Sequence, residues 1–98
     1  QVMVLDAKWK LLDSRADNSL RKYEINQADL YQMFAYGQKY LQGKGNMMLI
    51  YPRHQFFDTP LPVFHFDKHL SLWCVPFELE SGALVEGEWQ SSFPLFSP

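Results

Sequence analysis

Val2-Met3-Val4-Leu5-Asp6-Ala7-Lys8-Trp9-Lys10 is the stretch on which the fold turns. An apolar run reaches an acid, and a lysine follows two residues later. Side chains alternate along a strand, so Asp6 and Lys8 point to the same side. Apolar residues on both faces predict a central strand over residues 2–12, covered by protein on both sides. A charge at the end of a buried strand is costly unless it is paired or used. A carboxylate and an ammonium so placed can hold a divalent cation and orient a water against a phosphodiester. The plainer alternative is a surface salt bridge, because Asp-x-Lys is a common spacing. Chemistry of this kind takes at least two acids, and only five residues precede Asp6. The second acid is therefore expected from a later residue or from a partner strand outside this chain.

Working outward, Asp13 to Lys22 is polar and turn-rich and reads as a surface loop. Asn26 is a helix cap, and Asp29 places a negative charge in the first turn, fitting a capping box only loosely. The helix is expected from Gln27 to Leu41, ending at Gly43, with Lys39 near its C-terminus. Leu30, Met33, Phe34, Gly37 and Leu41 recur at helical spacing and form its core stripe. Gly37 costs propensity there, which close approach to a sheet would explain. Met47 to Tyr51 is a short apolar strand ended by Pro52. Strand, helix and strand in this order imply a parallel crossover unit. Val63-Phe64-His65-Phe66 and Leu70 to Val75 then predict an antiparallel hairpin at the sheet edge, turning at Asp67-Lys68-His69. The fold class is thus α/β, a mixed β-sheet with a crossover helix. Residues 1–81 form its domain, and residues 82–98 form a tail that docks through Trp89, Phe93 and Phe96 or stays partly mobile.

Composition bounds the function. The chain has 98 residues, 47% of them hydrophobic and 16% aromatic, enough for one small core and against disorder. A formal charge of −2 argues against a self-sufficient, non-specific nucleic-acid binder. The single cysteine, Cys74, precludes an internal disulfide and fits a reducing compartment. There is no signal-peptide pattern and no apolar run of membrane-spanning length. A cytoplasmic location is expected.

On the helix, Gln32 and Tyr36 sit four apart on one face, and Asp29 can share it. A crossover helix packed on the first strand could present Gln32 and Tyr36 to Asp6 and Lys8. Alternatively, the helix is amphipathic and Tyr36 lies at the core margin. VLDAKWKLL, then INQADLYQMFAYGQKYL, then MMLIYP together resemble the C-terminal nuclease region of the McrC family, the cleavage subunits of modification-dependent McrBC restriction systems. These belong to the PD-(D/E)xK nuclease superfamily. Asp6-Ala7-Lys8 matches the superfamily's (D/E)-x-K signature, and Gln32 to Tyr36 matches the Gln-x-x-x-Tyr pattern of its RecB-like branch. The resemblance covers roughly residues 2–52.

The resemblance implies a restriction-endonuclease-like fold, present here in part, and Mg²⁺-dependent cleavage of double-stranded, methylated DNA. It implies Asp6 and the Ala7 carbonyl as metal ligands, Lys8 on the water or the phosphate, and Gln32 and Tyr36 as supports. It also implies a McrB-like AAA+ GTPase motor as partner, engaged through regions outside this chain. The family's other metal-binding acid belongs to a strand before Gln1, so the chain alone is expected to be inactive. An edge left by that strand would recruit other chains, so self-association through it or through the apolar tail is expected. The competing reading is a non-catalytic interaction module with a nuclease-like core.

Other clusters read as structural. His65, His69 and Cys74 have zinc-type donors but no persuasive fourth ligand. Gly43-Lys44-Gly45 is a turn, too short for a phosphate loop. Cys74 is a small core residue. Glu78, Glu80, Glu86 and Glu88 form a solvated rim.

Overall fold

β1 (Val4–Ala7) forms because its alternation sorts two environments: Val4 is buried, whereas Leu5 and Ala7 are exposed. The computed structural model describes residues 3–12 and 25–94. After β1 come α1 (Gln27–Leu41), β2 (Gly45–Pro52), β3 (Phe64–His65), β4 (Leu70–Glu78), β5 (Ala83–Leu84) and a 3₁₀ turn over Glu88–Ser92. The sheet is mixed, in the order β1-β2-β4-β3, with β5 also paired to β4. The expected α/β class therefore holds.

The crossover is as the pattern predicts. β1 pairs in parallel with β2, Val4 opposite Met47 through Ala7 opposite Ile50. The bond from Lys8 N to Ile50 O extends that ladder by one residue. β2 pairs in parallel with β4 over its whole length, and β3 meets β4 antiparallel. The hairpin turns at Asp67, whose Oδ1 accepts from the His69 and Leu70 N–H groups at 2.7 and 2.9 Å. Those bonds, His69's first, hold the Asp67 carboxyl below its usual range.

One expectation needs correction. β1 is an edge strand among the described residues, not a central one, and it is much shorter than residues 2–12. β2 is the strand covered on both faces. On one side lies the larger core of Met33, Met47, Leu49, Tyr51, Leu70 and Leu72. On the other, Met48 and Val75 pack against Trp89 and Phe93. Each such side chain contributes about 1.5–3 kcal/mol by leaving water. The hairpin lies at the sheet edge as expected, with β3 outermost and β4 joining it to β2.

Trp89 and Phe93 are buried, and Trp89 Nε1 donates to Val85 O at 2.8 Å. These tail aromatics lie inside the fold and are not surfaces for association. The surface loop expected over residues 13–22, and Phe96, lie outside the described residues. Leu12 is fully buried beyond the end of β1. His54 fastens it: His54 Nε2 donates to Leu12 O, and Nδ1 accepts from Phe56 N. Phe57 and Leu61, in the segment read as a loop, also join the core. No helix among the described residues is long and apolar enough to cross a membrane.

α1 starts where Asn26 Oδ1 accepts from Ala28 N at 2.6 Å, and ends at Gln42, which has φ 56°. Met33 and Gly37 are buried, while Leu30, Tyr36 and Leu41 pack at the core's margin. Phe34, expected in the stripe, is instead partly exposed and rests on Phe66, ring centres 5.5 Å apart. Gly37 is where helix and sheet come closest. A Cβ there would lie 2.7 Å from Leu70 Cδ2 and 3.1 Å from Met47 Sδ. Both neighbours are fully buried, so shifting them disturbs the packed core. Overpacking costs about 1–3 kcal/mol, more than the roughly 1 kcal/mol gained by replacing a helical glycine with alanine. Gly37→Ala should therefore lower stability by about 1 kcal/mol in urea denaturation. A stabilised variant would mean that the helix can lift from the sheet at little cost.

Candidate functional site

Lys8 sits one residue past β1, still held in register by its own N–H to Ile50 O at 2.9 Å. That register turns its side chain to the face that α1 covers. There Nζ meets Asp6 Oδ2 at 3.0 Å, Gln32 Oε1 at 3.1 Å and Asp29 Oδ1 at 3.4 Å. Strand spacing supplies the first contact. The helix supplies the other two, because residues three apart share a helical face. The Asp6 hydrogen bond, joined by the charges of Asp6 and Asp29, raises the Lys8 pKa despite opposing desolvation. Lys8 is therefore an ammonium at neutral pH.

Three of the residues singled out by sequence come together here: Asp6, Lys8 and Gln32. Tyr36 does not join them in any polar contact among the described residues. It is half-buried at the core margin, its ring centre 6.1 Å from that of Tyr40. Asp29 belongs to the cluster more closely than its reading as a helix-end charge implied. Its carboxylate reaches Lys8 across the gap between helix and strand. The signal was its three-residue spacing from Gln32.

The Ala7 carbonyl faces the edge of β1 that no other described strand pairs. The carbonyl and N–H of one trans peptide point in opposite directions, and the N–H of the Ala7–Lys8 peptide points to β2. Asp6 and Ala7 thus offer two hard oxygens near the strand's end. They fit Mg²⁺ in kind but are few for an ion that prefers six oxygens. Among the described residues no group of three or more His, Cys, Asp or Glu side chains is placed to hold a metal.

Tyr51 was missed by sequence reasoning. It lies one step beyond the Ala7–Ile50 pair, on the core side, and is fully buried. Its Oη has no hydrogen-bond partner among the described residues. Burial raises its pKa strongly, with Cys74, Asp29 and Asp6 adding to the effect. An apolar strand position gives no cue that a hydroxyl will be fully buried there.

The remaining clusters are structural. His65 Nδ1 lies 2.7 Å from Ser71 Oγ on an exposed surface, and His69 is also exposed. Glu78 pairs with Arg53 at 3.2 Å, while Glu80, Glu86 and Glu88 are exposed. Gly45 closes the turn after α1 through its N–H to His69 O at 2.8 Å. Cys74 is buried, which pushes its thiol up to about 12. It should resist iodoacetamide at pH 8 in the native protein and react once denatured, as followed by mass spectrometry. Rapid native labelling would contradict its packing.

A family model described as McrBC 5-methylcytosine restriction system component matches residues 1–52. Comparison with curated proteins and with solved structures found no match. The matched region holds β1, α1 and most of β2, and with them Asp6, Lys8, Asp29 and Gln32. It is more than half of the chain, which belongs to the McrBC 5-methylcytosine restriction system component family.

Proposed function

We propose that this chain carries one half of the active site of a McrC-like nuclease, a restriction-endonuclease-like fold that hydrolyses DNA phosphodiesters. The observation behind this reading is the meeting of Asp6, Lys8 and Gln32 at one point from two elements. A strand-borne Asp-x-Lys and a helix-borne Gln need not converge; a packed crossover makes them do so. Membership in a restriction-system family agrees with it.

In this reading Asp6 and the Ala7 carbonyl hold Mg²⁺. When bound, that ion polarises the phosphate and lowers the pKa of its water. Lys8, kept charged by its carboxylate neighbours, neutralises the negative charge that builds on the phosphate in the transition state. Gln32 fixes the direction of the Lys8 side chain. Tyr36 supports the helix face through packing. A further acid presented along the open edge of β1 completes the ligand set. Specific recognition of methylated DNA and the energy of translocation come from a GTPase motor subunit of the McrB kind. The open edge of β1 is also the natural place for another chain to pair.

The test is a comparison of Lys8→Ala and Tyr36→Phe in the protein assembled with its motor partner. Lys8→Ala should lower cleavage of methylated DNA by at least about 100-fold, with partner binding and GTP turnover nearly intact. Tyr36→Phe should change cleavage by less than about tenfold, because the ring and its packing remain. Unchanged cleavage by Lys8→Ala would refute the catalytic assignment. Loss of partner binding with folding intact would favour the alternative, a non-catalytic interaction module.

A further inference from the structure

A lysine ammonium has three N–H bonds. At Lys8 three acceptors surround the ammonium: Asp6 at 3.0 Å, Gln32 at 3.1 Å and Asp29 at 3.4 Å. A phosphate oxygen that meets this ammonium competes with them, and the most weakly held gives way first.

The geometry distinguishes the three acceptors. Asp6 is two residues from Lys8 on the same strand face, so their contact follows from strand spacing. Gln32 is neutral. Its departure would leave the lysine between two carboxylates and set an incoming phosphate against both. Asp29 is anionic and makes the longest contact, 3.4 Å, beyond the usual range of a charge-assisted hydrogen bond. When it leaves, a negative charge leaves with it, and a phosphate oxygen replaces like with like. The other flank of Lys8 offers no substitute. The hollow there, of about 250 Å³, is walled by carbon from Trp9, Ile50, Tyr51, Pro52 and Phe77.

We propose that Asp29 occupies the phosphate position at Lys8 as an internal anion that DNA displaces. This rests on the nuclease reading above and adds to it the place where the phosphate binds. Asp29 then weakens DNA binding in the resting protein. Its own reward is a resting ion pair that also ties the first turn of α1 to β1.

The test is NMR titration of the chain with a short DNA duplex at low salt, without metal. Asp29→Asn should tighten binding about fivefold, the scale of one partly exposed ion pair. Asp29→Ser should do the same, which guards against an effect peculiar to one side chain. Glu80→Gln makes the same charge change on an exposed turn, and should shift affinity by less than about twofold. In a Lys8→Ala background the gain from Asp29→Asn should vanish. Unchanged, weaker or undetectable binding by both Asp29 variants overturns the proposal. So does an equal gain from Glu80→Gln, or a gain that persists without Lys8. If these fail while cleavage by the assembled system still depends on Lys8, only the phosphate assignment falls. If cleavage is indifferent to Lys8, the nuclease reading falls first.

Discussion

One ammonium, at the β1 edge of the sheet, joins sheet to helix. Lys8 reaches a carboxylate on its own strand and two acceptors on α1, all within 3.4 Å. Such contacts add little net stability when partly exposed, typically up to about 1 kcal/mol each. Their importance is geometric. They need β1 in its parallel register with β2, and they need α1 pressed close to the sheet. Shifting β1 by one residue would turn Lys8 and Asp6 to the opposite face and leave Asp29 and Gln32 facing nothing.

The packing that enforces this geometry is apolar. Gly37 lets the helix descend onto Leu70 and Met47, and Met33 anchors it beside them. On the far face, Trp89 and Phe93 seal Met48 and Val75, so the central strands are fixed from both sides. The resulting body places its charged cluster at the β1 edge of the sheet, where the Ala7 carbonyl also points. A rigid scaffold with its polar groups at an open edge suits a site completed by another segment or by substrate.

Much of this was legible in the sequence. The strand–helix–strand order, the helix limits and the convergence of Asp6, Lys8 and Gln32 follow from period-two and period-3.6 patterns, which report backbone geometry directly. What escaped depends on tertiary position. β1 has apolar residues on both faces, yet it lies at an edge where Leu5 is exposed, because alternation cannot report which neighbour is present. Leu12 and Phe57 are buried in irregular segments, held in part by His54, a residue with no periodic signature. Asp29 looked like a helix-end charge because its partner is 21 positions away in sequence. Phe34 is partly exposed and Tyr36 packs at the core margin, a difference to which a stripe of five residues is insensitive.

The central claim is that Asp6 and Ala7 form the metal-facing corner of a nuclease half-site. Paramagnetic line broadening by Mn²⁺ tests it on the chain itself, since weak binding suffices. The account predicts that resonances of Asp6, Ala7 and Lys8 broaden at the lowest Mn²⁺ concentrations, and that Asp6→Asn removes the effect. Broadening centred on Glu78, Glu80, Glu86 and Glu88, or broadening at β1 that survives Asp6→Asn, would contradict it.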